Sequence, residues 1–396
     1  MLALSLSTSC GGAKDPCSAP SSGAIGTPVV LSNKLARAMG STVVALSCDT
    51  QRQQQARSDA LTAQDSDASA LVDGKAVRGL VQEMIVPVLP QFNGSNQFVE
   101  TPRLLRVDKE GQVSELYRLP DPPASFETGF YSGTTINGTQ VQIPRGLLMA
   151  VARASTGEVY VSNNVTGEIF KLSNGQRSSF ARIEGVSSLT IDTQDNVYAV
   201  TAPVFGYSNN LLAAPRIVKL SPAGQASDFY VYPSDASRYS GAGFLNCKDA
   251  RCVAMGFAMD LALDPSGTLY VASPFDAGIL KIDAQGSAAT LGGEMRGIAG
   301  LAVGPDKNVY FALSPTFDNN LAARQGLRVG MLDAQAKATT LFESAASEAH
   351  KTGFYIGMGS DTQLPLDVVL NLNLDNQGNL YLEDNNTHTL TLLPRR

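Results

Sequence analysis

Three polar residues, Ser188, Asp260 and Asn371, each stand ten residues before a tyrosine, at Tyr198, Tyr270 and Tyr381. Ala150 and Gly300 hold the same place before Tyr160 and Tyr310, and Arg145, Glu184, Arg296 and Asp367 lie a few residues further upstream of such segments. A ring carrying both signs of charge could hold a polar ligand or a cation, because carboxylates and amides offer oxygen ligands and guanidinium groups clamp anions. The same groups can instead pair with one another and hydrate a tunnel. A second set is aromatic: Phe92, Phe130, Tyr131, Phe205, Tyr207, Phe244, Phe317, Phe354 and Tyr355 fall in Gly- and Asn-rich connections. Such rings can stack on a ligand such as a sugar or tack the connections to the body of the fold. His350 and His388 are far apart and show no triad around them, which disfavours histidine-based nucleophilic catalysis. No Gly-x-x-x-x-Gly-Lys segment is present to cradle a phosphate.

The elements that must position these residues are set by a repeat. Five segments share a polar turn followed by a β-branched and aromatic strand: Ser155-Thr-Gly-Glu-Val-Tyr160, Thr193-Gln-Asp-Asn-Val-Tyr198, Pro265-Ser-Gly-Thr-Leu-Tyr270, Pro305-Asp-Lys-Asn-Val-Tyr310 and Asn376-Gln-Gly-Asn-Leu-Tyr381. An apolar strand precedes each turn, and two more usually follow, as in Glu168–Leu172 and Gly278–Ile282. Four short antiparallel strands per unit make the blade of a β-propeller. Asp192, Asp264 and Asp375 end first strands and read as turn residues, and the Asn pairs at 163–164, 319–320 and 385–386 read likewise.

Short and long tyrosine spacings alternate, so every second blade carries insertions. Their contents match: Phe205-Gly-Tyr-Ser-Asn-Asn210 precedes Pro215-Arg-Ile-Val-Lys-Leu220, Phe317-Asp-Asn-Asn320 precedes Gly326–Met331, and Phe92-Asn-Gly-Ser-Asn-Gln97 precedes Pro102–Val107. Counting back from Phe92 places the first unit's second strand at Ile85, within Met84–Leu89. The expectation is an all-β, six-bladed β-propeller of three pseudo-repeats of a two-blade unit. Only one strand, Thr387–Leu392, follows Tyr381 before the end. Thr42–Ser47 or Thr27–Leu31 is therefore expected to close the ring as an outer strand. Residues 50–70 read as a polar helix or connector, so 27–80 supply the closing strand and connector and 81–396 the main blades. Both kinds of insertion, within a blade and between blades, emerge at one end of such a ring.

Composition narrows the partners. The chain of 396 residues has a formal charge of −6, which opposes the clustered basic surface that nucleic-acid binding needs. It lacks an apolar run of the ~20 residues that span a bilayer. The opening Met1-Leu-Ala-Leu-Ser-Leu-Ser-Thr-Ser-Cys10 resembles the end of a bacterial lipoprotein signal. It implies lipidation at Cys10, residues 1–26 as leader and linker, a periplasmic or outer-membrane-anchored location in the bacterial cell envelope, and membrane contact through the anchor alone. Four cysteines remain. Cys247 and Cys252 enclose a small polar loop and are expected to be bridged; Cys17 with Cys48 is the other pairing open.

The blades resemble those of NHL-type and gluconolactonase-type (SMP-30-like) six-bladed propellers over about residues 80–396, through their Asp-x-x-Gly-x-Leu-Tyr-Val turns. That resemblance implies a channel site where a divalent ion, calcium or another, is held by Glu, Asn and Asp and polarises a carbonyl. Glu184, Asp260, Asp367 and Asn371 are the residues of suitable type. Met259 stands near the position where that family has an Asn, and the turn reads Asp264-Pro-Ser-Gly267. The leading expectation is accordingly a monomeric propeller that binds a small molecule or protein on its loop-rich face without catalysis. A metal-dependent lactonase is the alternative.

Overall fold

The computed structural model describes residues 29–32, 42–43, 71–72, 75–76, 84–88, 91–92, 98–107, 113–119, 130–134, 140–144, 148–163, 166–206, 208, 210–235, 239, 245–248, 251–254, 260–272, 278–293, 295–304, 307–345, 350, 355–357, 361–365, 370–375, 378–384, 387 and 389–394. In three repeats the turn between first and second strands is built by an aspartate side chain, Asp192, Asp264 or Asp375. Asp264 Oδ1 accepts the backbone N–H groups of Ser266 at 2.8 Å and Thr268 at 2.9 Å, while Gly267 N–H donates to the Asp264 carbonyl at 3.0 Å. Gly267 sits at φ 83°, where an L side chain is strained. Asp192 makes the same two bonds to Gln194 and Asn196, with Asp195 in the left-handed place at φ 60°; aspartate tolerates that region better than most residues.

The tyrosine of the repeat returns to this aspartate. Tyr381 Oη donates to Asp375 Oδ2 at 2.8 Å and Tyr198 Oη to Asp192 Oδ2 at 3.3 Å. A tyrosine buried between sheets needs an acceptor for its hydroxyl. Burial together with the neighbouring Asp264 pushes the Tyr270 hydroxyl pKa up to about 12, so it stays a donor. Turn and core are thus joined by one pair of side chains.

Six four-stranded antiparallel blades follow. From the axis outward they are Thr42–Val43, Met84–Val88, Arg103–Val107, Val113–Arg118 (blade 1); Leu148–Arg153, Val159–Asn163, Glu168–Ser173, Gln176–Arg182 (blade 2); and Val186–Ile191, Val197–Thr201, Arg216–Leu220, Ala226–Val231 (blade 3). The rest are Asp260–Leu263, Leu269–Ala272, Ile279–Ile282, Ala288–Leu291 (blade 4); Ile298–Val303, Val309–Leu313, Arg328–Leu332, Ala338–Glu343 (blade 5); and Leu370–Leu374, Leu380–Asp384, Thr389–Leu393, Val29–Ser32 (blade 6).

The core is a ring of six apolar clusters, one between each neighbouring pair of blades. The cluster that proves closure joins blade 6 to blade 1: Tyr381, Leu390 and Leu392 pack with Met84, Val86 and Leu105. Each such side chain taken out of water contributes about 1.5–3 kcal/mol, so the seam is held as the other five junctions are.

Of the two segments expected to close the ring, Val29–Ser32 does so, pairing Val29 with Leu392 and Val30 with Thr391. Thr42–Val43 becomes the inner strand of blade 1, with Thr42 opposite Ile85. Blade 6 has one open edge and blade 1 lacks an inner strand, and an unpaired edge exposes a row of backbone donors and acceptors. The segment from 29 to 43 fills both vacancies, so blade 1 draws a strand from before residue 81. The connector at 50–70 lies outside the described residues.

Candidate functional site

Because strands alternate direction, the connection between second and third strands and the one leading to the next blade leave from the same end. In blades 3 and 5 these connections form accessory sheets. Beside blade 3 the order is Leu211–Ala213, Val204–Gly206, Arg251–Ala254, Leu245–Lys248; beside blade 5 it is Ala323–Gln325, Thr316–Phe317, Gln363–Pro365, Tyr355–Gly357. Blade 1 carries the matching hairpins, Gln91–Phe92 with Phe98–Glu100 and Phe130–Thr134 with Gln140–Pro144. In blades 2 to 5 the described turns at the opposite end are tight, several of them built on an aspartate, and in blade 1 the connection from Val43 to Met84 leaves from that end.

The accessory sheets are tied down. Phe205, 5% exposed, inserts into the apolar cluster between blades 3 and 4, and Phe317 is fully buried. Both are anchors for the insertions. Arg251 grips Glu184, at the entrance to blade 3, with Nε 3.0 Å and Nη2 2.7 Å from Glu184 Oε2. Beside blade 5, Arg324 pairs with Asp361, whose Oδ1 also accepts Asn319 N–H at 3.3 Å. His350, in the connection from blade 5 to blade 6, is buried with its Nε2 2.8 Å from Asp384 Oδ2. That imidazole holds the Asp384 carboxyl below its ordinary pKa, although burial alone would raise it.

Near the axis, Ser188, Asp260 and Asn371 lie on the inner strands of blades 3, 4 and 6. Asp260 is the centre of this group. Its Oδ1 accepts Ser188 Oγ–H at 2.9 Å and its own neighbour Leu261 N–H at 2.9 Å, and its Oδ2 accepts Leu301 N–H of blade 5 at 2.7 Å. Although the residue keeps some contact with solvent, its carboxyl is enclosed; burial raises its pKa to about 6, against the pull of the three hydrogen bonds. Gly300 continues the ring. A Cβ there would stand 3.0 Å from Leu372 N and 3.2 Å from Leu370 O, so glycine lets blades 5 and 6 touch through their backbones. Asn371, buried, lies opposite Glu383 of the adjoining strand.

This arrangement braces the blades. Glu184 is engaged by Arg251 and Asp260 by three protein donors, and among the described residues no group of three or more His, Cys, Asp and Glu converges as a metal set. Arg296 is exposed at the entrance to blade 5. Phe92, Phe130, Tyr131 and Tyr355 occupy accessory strands, and Cys247 faces Cys252 in strand register. Cys10, Cys17, Cys48, Arg145, Tyr207, Phe244, Phe354, Asp367 and His388 lie outside the described residues.

Sequence reasoning missed the Glu184–Arg251 and His350–Asp384 pairs. For the second a faint signal existed: Asp384 stands where blade 2 has Asn163, and each caps a threonine N–H at 3.3 Å, Thr387 and Thr166. Asp384 carries in addition a charge that a buried imidazole can meet. Among the described residues no helix is long and apolar enough to cross a membrane.

No family model and no curated protein matches this sequence. Among solved structures, a gluconolactonase from Xanthomonas campestris aligns at 11% identity with a TM-score of 0.49, covering 96% of this chain and 97% of that one. Virginiamycin B lyase from Staphylococcus aureus aligns at 12% identity with a TM-score of 0.44, covering 92% and 97% of the two chains. Likenesses this distant leave the chemistry to this chain's own residues.

Proposed function

We propose that the protein is a cell-envelope propeller that binds a protein or small-molecule partner on the end carrying the accessory sheets, without chemistry of its own. The observation that supports this reading is the difference between the two ends. One keeps tight turns in blades 2 to 5 and takes the single connection from Val43 to Met84, and the other carries paired insertions on blades 1, 3 and 5 that repeat around the ring. A large, braced, polar end suits a protein partner. A lipid at Cys10 would hold the ring near a membrane while leaving that end free. The lactonase reading needs Glu184 and Asp260 as metal ligands; both are satisfied by protein groups, and no observation favours it.

A photo-crosslinking residue placed at Leu212 or Asn319, on the accessory end, is expected to yield a discrete adduct in the native cell. The same residue at Gln194 or Gln335, in turns of the opposite end, is expected to yield none. Equal adducts from both ends would remove the basis for the reading. Cys10→Ser is expected to shift the protein from the membrane fraction to the soluble fraction.

A further inference from the structure

We propose that Cys247 and Cys252 form a cross-strand disulfide that locks the accessory sheet beside blade 3, next to Arg251 and its grip on Glu184. The two cysteines are register partners in the hairpin Leu245–Lys248 and Arg251–Ala254. Lys248 and Arg251 flank the two intervening residues, Asp249 and Ala250. In a two-residue hairpin the flanking pair exchanges backbone hydrogen bonds, so the next pair outward is a non-hydrogen-bonded one. Such pairs have Cα atoms about 4.5 Å apart, inside the ~4.4–6.8 Å that a disulfide spans.

The position of the pair gives the bond a consequence. On its other side Cys252 is the register partner of Phe205, the buried anchor of the insertion, and Arg251, one residue earlier, is opposite Gly206 and holds Glu184. The cross-link would therefore join the outermost accessory strand to the strand that carries the ion pair. The accessory sheet beside blade 5 has no cysteine and is tied by Arg324 and Asp361 instead. Formation needs a disulfide donor. One cysteine thiolate attacks the donor and releases a thiol, and the second attacks the mixed disulfide and releases another. The two cysteines lose two protons and two electrons, and the donor is reduced to two thiols.

The test is peptide mapping of the full chain equilibrated with oxidised or reduced glutathione, alkylated with iodoacetamide and digested with trypsin. Cleavage after Lys248 and Arg251 separates the cysteines, so the oxidised sample is expected to yield Tyr239–Lys248 joined to Cys252–Lys281, with Asp249–Arg251 released. Amide exchange over Val204–Gly206 and Arg251–Ala254 is expected to be on the order of tenfold slower in the oxidised protein. The variant carrying both Cys247→Ser and Cys252→Ser should match the reduced form. Full alkylation of both cysteines after oxidised glutathione, a join to Cys17 or Cys48, or exchange unchanged by oxidation would each overturn the proposal.

Discussion

Asp260 accepts the Ser188 hydroxyl at 2.9 Å across the junction of blades 3 and 4, and the same carboxylate accepts Leu301 N–H from blade 5 at 2.7 Å. One side chain therefore spans three inner strands. Apolar clusters fill each junction further out, but they are non-directional and do not set how one inner strand slides on the next. The carboxylate does, because its two oxygens must meet donors fixed on different blades.

The raised pKa of Asp260 makes this brace sensitive to pH. Its folded value, about 6, exceeds the ordinary carboxylate value. The folded state therefore holds the proton more tightly than the unfolded chain. Its contribution is complete below about pH 4 and is lost as pH rises through about 6. Urea unfolding from pH 7 to pH 4 should show the wild type gaining on Asp260→Asn, by up to about 3 kcal/mol. Parallel curves for the two proteins would show that the carboxyl is not so perturbed.

The tyrosine and aspartate of a blade act as a pair. Tyr381→Phe is expected to cost ~1–2 kcal/mol, because the hydroxyl bonds Asp375 in a buried setting. A double-mutant cycle of Tyr381→Phe with Asp375→Asn should give a coupling of about 0.5–3 kcal/mol. Simple additivity would place the tyrosine's value in packing alone.

Ring closure rests on the strand from the N-terminal side. Removing Val29–Ser32 would expose Thr389–Leu393 as an open edge. The truncated chain is expected to associate on size-exclusion chromatography. Leu392→Ala, at the seam of blades 6 and 1, should destabilise by about 2–5 kcal/mol. A truncated protein that remained monomeric at full stability would contradict the assigned pairing.

Divalent metal should have little influence on stability. Glu184 and Asp260 are already engaged by protein donors, so chelation or millimolar calcium is expected to move the melting temperature by less than about 1 °C, since only a ligand bound by the folded state shifts it. A calcium-dependent rise of several degrees, lost in Asp260→Ala, would restore the hydrolase reading.

Much of the architecture can be read along the chain because it is local. The turn aspartate, the left-handed residue three positions later and the buried tyrosine belong to one short segment. Their recurrence marks the blades, and the alternating spacing marks which blades carry insertions. The site was less accessible. Ser188, Asp260 and Asn371 could be placed on inner strands by counting back from tyrosines, but a count along the chain carries no information about which side chain meets which.

The amino-acid sequence alone determined six blades, their grouping in twos, and the gathering of the insertions at one end, since each follows from hydrophobic period and turn chemistry within a few dozen residues. Only the tertiary structure decided that Val29–Ser32 rather than Thr42–Val43 closes blade 6, that Phe205 and Phe317 point into the core, and that Glu184 is spent on Arg251. Those outcomes depend on partners far away in the chain, brought together when the ring shuts, and a charge or a ring on a loop has no way to announce its partner until that geometry exists.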